Sequence, residues 1–155
     1  MPTATDTARP APSLTLLSAQ PLRAPQTPQP LPLMRWPVQA GFPSPAEDDQ
    51  EAPLDLHQML VEHPEATFLL RVKGHSMQDA GIEDGDVLVV DRALEAAHGR
   101  IVIALVDGEF TVKRLYQRDG QIRLEAANPN FPAIHFRDGQ ELQVWGVVTR
   151  IIKSV

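Results

Sequence analysis

The pair Asp107-Gly108 lies between two runs of strand-forming residues, and it constrains the fold more than any other feature of the sequence. The run before it, 101–106, reads Ile-Val-Ile-Ala-Leu-Val, and the run after it, 109–115, reads Glu-Phe-Thr-Val-Lys-Arg-Leu. Because glycine accepts the positive φ that a tight turn requires, Asp-Gly between such runs predicts a two-residue β-hairpin. The other Asp-Gly pairs of the chain are at 84–85, 119–120 and 138–139.

The two strands of this hairpin differ in their predicted environment. Residues 101–106 are apolar at every position, which predicts burial on both faces. The following strand alternates, with Phe110 and Val112 on one face and Thr111 and Lys113 on the other. A second hairpin is predicted through 115–118, the Asp-Gly pair at 119–120, and 121–125. Further strands are predicted at 87–90, 134–136 and 142–152, the last with a bend near Gly146.

One helix is predicted, from Leu54 to Val61, with Pro53 at the first helical position and Pro64 beyond the end. With so many strand signals and so little helix, we expect a mostly β protein. The expected architecture is a strongly curved sheet assembly with one or two short helices.

The N-terminal part of the chain has a different composition. Eleven of the fifteen prolines precede residue 46, and residues 1–36 show no apolar periodicity. Such a segment cannot bury enough surface to offset the entropy lost on ordering. We therefore expect residues 1–45 to form a flexible, disordered proline-rich arm and residues 46–155 to form one compact β domain.

Charge and composition exclude several classes of protein. The net charge is −6, and residues 1–46 carry +2, so the rest is acidic, unlike a dedicated binder of phosphate backbones. Cysteine is absent, which excludes disulfides and thiolate chemistry. No apolar run has the length of a membrane span or resembles a signal peptide, so a cytoplasmic location is expected. The histidines lack the spacing of metal ligands, so neither a metal nor a cofactor is expected. They are His57, His63, His75, His98 and His135.

Two residues could form a catalytic pair. Ser76 follows Gly74, which allows close approach of the backbone, although a serine in this setting is usually a turn or cap residue. Lys113 would act as a base only if burial in a packed sheet lowered its pKa from about 10.4 toward neutrality. Thr111, on the same face of the strand, could orient the amine. A Ser-Lys pair is a variant of triad chemistry, whereas His75 is a poor base for Ser76 because adjacent strand residues point apart.

Several motifs together resemble the LexA/UmuD family of self-cleaving serine peptidases, over roughly residues 40–153. They are Gly-His-Ser-Met at 74–77, Gly-Ile-Glu-Asp-Gly-Asp at 81–86 and Asp-Gly-Glu-Phe-Thr-Val-Lys-Arg-Leu at 107–115. Ala-Gly-Phe-Pro-Ser-Pro-Ala at 40–46, with Asp55-Leu56 and His63-Pro64, resembles the UmuD branch in particular.

The resemblance implies a role for each matching residue. Ser76 would be the nucleophile that attacks the carbonyl of Ala40 in the Ala40–Gly41 bond, and Lys113 would be the general base. Backbone N–H groups near Ser76 and Met77 would stabilise the oxyanion. The resemblance also implies an SOS-response protein that is stimulated by a RecA filament on single-stranded DNA. The trimmed form would act as a homodimer, as an accessory subunit of a UmuC-type translesion polymerase.

Two features depart from the family pattern. His75 stands where family members usually carry Asp, and the 40-residue arm before Gly41 is long and rich in proline. Two other classes of protein lack their defining features in this sequence. A LexA-like repressor needs an N-terminal helix-turn-helix, and a signal-peptidase relative needs a membrane anchor, and neither pattern is found here. A non-catalytic scaffold that regulates a polymerase stays open.

Overall fold

The computed structural model describes residues 15–16, 21, 27–35, 37–43, 49–136 and 140–155. All the strands pair antiparallel in a single sheet of order β1-β2-β3-β8-β4-β5-β6-β7. The elements are β1 (Thr15–Leu16), α1 (Leu56–Leu60), β2 (Thr67–Arg71), β3 (Val87–Asp91), β4 (Ile101–Val106), β5 (Glu109–Arg118), β6 (Gln121–Glu125), β7 (Ile134–His135) and β8 (Gln143–Ile152). Short 3-10 turns lie at Pro64–Ala66 and Gln78–Ala80. The prediction of a mostly β protein with little helix is confirmed.

The two Asp-Gly hairpins have the predicted turn chemistry. The φ angles are 50° at Asp107 and 82° at Gly108, and 52° at Asp119 and 72° at Gly120. Positive φ at both central residues is the mark of a type I′ turn, whose twist matches that of the flanking strands. The first turn joins β4 to β5 and the second joins β5 to β6. The pair at 138–139 lies outside the described residues.

Strand β8 lies inside the sheet, between β3 and β4. Its register with β4 shifts between the pairs Ile103–Gly146 and Ala104–Val144, where the sequence predicted a bend. A Cβ at Gly146 would come within 2.6 Å of Val90 Cγ1, so only glycine fits this close approach without a shift of its neighbours.

Two clusters of buried apolar side chains form the core. The first contains Met77 and Ile103, and the second contains Val102 and Val147. Because the neighbours Val102 and Ile103 belong to different clusters, β4 is buried on both faces, as its continuous apolar sequence predicts.

The predicted start of the helix was wrong. Helix α1 begins at Leu56, and the carboxylate of Asp55 accepts hydrogen bonds from the backbone N–H groups of His57 and Gln58. The Asp55 side chain thus satisfies two backbone N–H groups in the first turn that have no partner within the helix. Pro53, two residues earlier, lies outside the helix. Strand β2 was not predicted at all, although its sequence is Thr-Phe-Leu-Leu-Arg.

Residues 31–35 pair antiparallel with residues 49–54, and we call this pairing the ribbon. Leu31 and Leu54 exchange two backbone hydrogen bonds of 2.7 Å. Arg35 N–H donates to the carbonyl of Asp49, Glu51 N–H donates to the carbonyl of Leu33, and both distances are 2.9 Å. The Arg35 guanidinium also lies 2.9 Å from the Asp49 carboxylate. The ribbon therefore closes a loop that contains residues 36–48.

The predicted boundary between the arm and the β domain, after residue 45, lies outside the described residues and stays a prediction. Within the segment assigned to the arm, Thr15–Leu16 form β1 on the edge of β2. Together with the ribbon, this gives the N-terminal segment two places of attachment to the rest of the chain.

Candidate active site

Ser76 lies in the segment between β2 and β3, and we call residues 74–79 the Ser76 loop. Its residue exposure is 4%, and that of Met77, which packs in the first core cluster, is 1%. Gly74 has a φ of 101°, and its N–H donates to the Asp84 carboxylate at 2.6 Å. The loop is thus fixed on both sides of the serine.

The segment that follows β6 holds the same loop from another direction. Ala127 N–H donates to the Ser76 carbonyl at 2.9 Å, and Asp79 N–H donates to the Ala127 carbonyl at 2.8 Å. The Asn128 side-chain amide donates to the His75 carbonyl, also at 2.8 Å. Sequence reasoning missed Ala127 and Asn128, because Asn-Pro-Asn after a strand indicates only a turn.

Lys113 reaches the serine from β5. Its Nζ lies 2.9 Å from Ser76 Oγ, 3.0 Å from Thr111 Oγ1 and 3.1 Å from the Val112 carbonyl oxygen. Lys113 is only 5% exposed, and this burial lowers its pKa from 10.5 to about 8. The structure therefore brings together Ser76, Lys113 and Thr111, although Ser76 and Lys113 are 37 residues apart in sequence.

Backbone donors lie beside the serine. Among the described residues, no hydrogen bond uses the N–H of Ser76 or of Met77. These two groups belong to the peptide bonds on either side of Ser76, and neither has a described hydrogen-bond partner.

His75 has no direct part in this arrangement. The residue is exposed, and its hydrogen bonds to described residues are made by its backbone carbonyl, which accepts from Asn128 and Gln78. The His in place of the family's usual Asp thus lies at the surface of the site and not between Ser76 and Lys113.

The predicted cleavage site lies in the exposed segment 37–43, inside the loop that the ribbon closes. Val38 and Phe42 are 96% and 93% exposed, and a Cβ at Gly41 would have no heavy atom within 4 Å. If the Ala40–Gly41 bond lay against the buried Ser76, the residues next to it would be partly shielded from solvent. In this conformation the Ala40–Gly41 bond is therefore not docked at Ser76.

Neither metal-ligand clusters nor membrane-spanning helices are found in the part of the chain that the structure describes. The His, Asp and Glu residues described do not form a group of three that could hold a metal ion. Of the described helices, none is long and apolar enough to cross a bilayer.

Comparison with known proteins gives the family. The family described as Peptidase S24-like matches residues 32–149, a range that includes Ser76, Lys113 and the Ala40–Gly41 bond. Protein MucA of Escherichia coli is 50% identical over 113 residues, which are 72% of this chain and 77% of that protein. Protein ImpA of Shigella flexneri is 47% identical over 122 residues, 78% of this chain and 82% of that protein.

A repressor is also among the relatives. The LexA repressor of Cupriavidus taiwanensis is 44% identical over 119 residues, which are 76% of this chain but 54% of the repressor. Since the family match covers most of the chain and the identities are high, the chain belongs to the Peptidase S24-like family.

Proposed function

We propose that this chain is a self-cleaving serine peptidase of the UmuD type, in which Ser76 cuts the Ala40–Gly41 bond of the arm. The observation that carries the proposal is the 2.9 Å contact between Ser76 Oγ and a buried lysine amine. Lys113 has no carboxylate partner among the residues that the structure describes, and burial of such an amine costs stability. Its placement against a serine hydroxyl is typical of a functional site.

The amine acts as the general base in its neutral form. A charged ammonium has three N–H donors, and three acceptors surround Nζ in the structure. When the proton is lost, two N–H bonds still reach Thr111 Oγ1 and the Val112 carbonyl. The lone pair then faces Ser76 and accepts the hydroxyl proton. With a pKa of about 8, roughly one lysine in ten is neutral at pH 7.

The reaction then proceeds by acyl transfer. Ser76 Oγ attacks the carbonyl carbon of Ala40, and the backbone N–H groups of Ser76 and Met77 stabilise the oxyanion. The C–N bond breaks, and the new amino group of Gly41 takes the proton from Lys113. Water, activated by the same amine, hydrolyses the acyl-enzyme and restores Ser76.

A conformational step must precede the chemistry, because the Ala40–Gly41 segment is exposed. The protein carries this segment itself, so the scissile bond is present at a high effective concentration and needs no deep substrate pocket. We propose that a RecA filament on single-stranded DNA stimulates cleavage by favouring the docked loop.

The resemblance to UmuD also supports the downstream role. In this proposal the trimmed chain forms a homodimer in the cytoplasm and serves a UmuC-type polymerase during translesion synthesis in the SOS response. A non-catalytic scaffold of such a polymerase would have the same fold but would leave the arm intact.

The proposal is tested by mass spectrometry of the purified chain after incubation at about pH 9, where most of the lysine is neutral. We expect a fragment that begins at Gly41. Ser76→Ala and Lys113→Ala should leave the chain intact, whereas the exposed controls Ser154→Ala and Lys73→Ala should still cut.

The cut position has its own test. Gly41→Glu should block cleavage while the fold survives, because the added side chain meets open space in the undocked loop. A fragment that starts at Gly41 in the Ser76→Ala variant would refute the proposed chemistry.

A further inference from the structure

One face of the β5–β6 hairpin is rich in arginine, although the chain has a net charge of −6. Arg114, Tyr116 and Arg118 alternate along β5, and the register pairs Arg114 with Glu125 and Tyr116 with Arg123 of β6. Because paired residues lie on the same side of a sheet, these five side chains share one face. We call it the arginine face.

The hairpin holds the arginine face in a fixed position. On its opposite side, Leu115 and Leu124 pair with each other and are buried in the second core cluster. On the arginine face itself, the Arg123 guanidinium lies 3.5 Å from the centre of the Tyr116 ring. Its Nε and Nη2 atoms are 2.8 and 2.7 Å from Glu125 Oε1. The face is therefore ordered before a partner arrives, which lowers the entropy cost of binding.

Arg114 and Arg118 have no carboxylate partner among the residues that the structure describes. Glu125 faces Arg114 across the two strands, but its carboxylate is engaged within β6. Asp119 follows Arg118 in the turn and forms no ion pair with it. The Tyr116 hydroxyl likewise has no hydrogen bond to a described residue. Two positive groups and one hydroxyl are thus available to a ligand.

The available groups form a regular row. Every second residue of a strand is displaced by about 7 Å, so Arg114, Tyr116 and Arg118 follow one another at that spacing. An extended peptide has the same spacing between every second side chain. A guanidinium binds a carboxylate through two parallel hydrogen bonds, and a tyrosine hydroxyl can donate one. An extended segment with acidic residues at alternate positions therefore matches the row.

A single-stranded nucleic acid fits the arginine face less well. Such strands are bound through bases that stack on free aromatic rings. The Tyr116 ring is already covered by Arg123, and the His98 ring packs against it with a centroid distance of 5.1 Å and an interplanar angle of 84°. The negative charge of the whole protein also opposes the many phosphates from which such binding derives its affinity.

We propose that the arginine face binds an extended acidic segment of another protein, with carboxylates at three alternate positions against Arg114, Tyr116 and Arg118. Tyrosine and arginine are also the residue types that most often dominate binding at interfaces. Since Lys113 precedes Arg114 in an unbroken strand, its side chain lies on the opposite face of β5. The inference therefore does not depend on self-cleavage.

The test uses the isotope-labelled full chain with Ser76→Ala, so that the protein stays intact whether or not it cuts itself. The probe is the capped peptide Thr-Glu-Thr-Glu-Thr-Glu-Thr. The matched control, Thr-Thr-Glu-Glu-Glu-Thr-Thr, has the same composition and charge but places the glutamates in a block. An oligothymidylate of about 12 nucleotides is titrated in parallel. Amide chemical shifts in NMR report binding even at millimolar affinity.

The alternating peptide should shift the amides of residues 114–118 and 121–125 and bind at least about threefold more tightly than the block peptide. Arg114→Gln and Arg118→Gln should each weaken its binding about fivefold, which corresponds to about 1 kcal/mol for one ion pair. Tyr116→Phe keeps the ring beneath Arg123 and should weaken binding about two- to threefold. Lys73→Gln removes an exposed cation between β2 and β3 and should change nothing.

Four results would overturn the inference: no shift at millimolar peptide, equal binding of the two peptides, unchanged binding in both arginine variants, or oligothymidylate binding as tight as that of the alternating peptide. The last result would identify a nucleic-acid surface instead. Thermal unfolding of each variant accompanies the titrations. Since the substituted side chains lie at the surface of the hairpin, the melting temperatures should match that of the Ser76→Ala chain.

Discussion

The side-chain amide of Asn128 donates a 2.8 Å hydrogen bond to the backbone carbonyl of His75, the residue before Ser76. The two partners are 53 residues apart in sequence. The contact joins the segment after β6 to the Ser76 loop, so the position of the serine hydroxyl depends on a side chain that does not itself touch Oγ.

We expect Asn128→Ala to slow self-cleavage about five- to tenfold, as for loss of one positioning hydrogen bond. The pH at half-maximal rate should not change, because Lys113 stays buried. Rates of fragment formation from pH 6 to 10 measure both quantities. Asn130→Ala is the control. It removes an exposed side-chain amide two residues from Asn128, so this variant should behave like the unmodified chain. A shifted pH profile in Asn128→Ala would contradict a pure positioning role.

The pH dependence of cleavage should follow the ionisation of Lys113. Burial lowers its pKa to about 8, and only the neutral amine is a base. The rate should therefore rise about tenfold per pH unit below 8 and level off above about pH 9. First-order rate constants across this range provide the measurement. A rate that is flat from pH 7 to 10 would rule out Lys113 as the base.

Lys113→Met should abolish cleavage yet stabilise the fold at neutral pH. The folded-state pKa is about 8 and the unfolded-state value 10.5, so below pH 8 the folded chain bears the full cost of a buried ammonium. We expect a gain of about 1–3 kcal/mol at pH 7, after allowance for the hydroxyl partners left unpaired. Between pH 8 and 10.5 the gain should shrink, because the folded lysine is already neutral there.

Urea unfolding at pH 7 and pH 10 measures this difference in stability. Lys153→Met is a control with the opposite sign. Its amine lies 2.7 Å from both Asp86 and Glu83, and hydrogen bonds to these carboxylates raise its pKa. Removal of that amine should lower stability. If Lys113→Met is less stable than the unmodified chain at pH 7, burial of the charged amine does not destabilise the folded state.

Gly146→Ala should destabilise the fold by about 1–3 kcal/mol through overpacking. The new Cβ would meet Val90 Cγ1 at 2.6 Å and the Asp91 carbonyl at 3.3 Å. Thermal or urea unfolding provides the measurement. Val90→Ala in the same chain should recover part of the loss, because it removes the nearest methyl group.

The control for Gly146→Ala is Gly41→Ala, whose Cβ has no neighbour within 4 Å and which should leave stability unchanged. An additive double variant, with no recovery from Val90→Ala, would show that the clash with Val90 is not the cause.

The hairpin and the face of β5 that bears the lysine could be predicted from sequence because both are local. Asp107-Gly108 specifies its own turn, and the period of two places Thr111 and Lys113 on the same face. The contact of Lys113 with Ser76 was expected from chemistry and family resemblance. No sequence pattern by itself predicts the distance between Lys113 Nζ and Ser76 Oγ.

The features that escaped prediction are non-local. Strand β2 is defined by its pairing with β1 and β3, and the position of β8 inside the sheet depends on its pairing with both β3 and β4. Asn128 gives no signal by itself, because its role arises when the segment after β6 meets the Ser76 loop. The helix start is the exception, because the Asp55 side chain sets it locally by capping residues 57 and 58, which decides a helix start more sharply than periodicity does.

The place of β8 between β3 and β4 has a consequence for the newly made chain. Ser76 lies between β2 and β3, and Lys113 lies in β5, on the other side of β8 in the sheet. Strand β8 follows both residues in the order of synthesis. A nascent polypeptide that still lacks β8 cannot form the continuous hydrogen-bonded sheet from β3 to β4. We therefore expect the relative positions of Ser76 and Lys113 to become fixed only once residues 143–152 have been made.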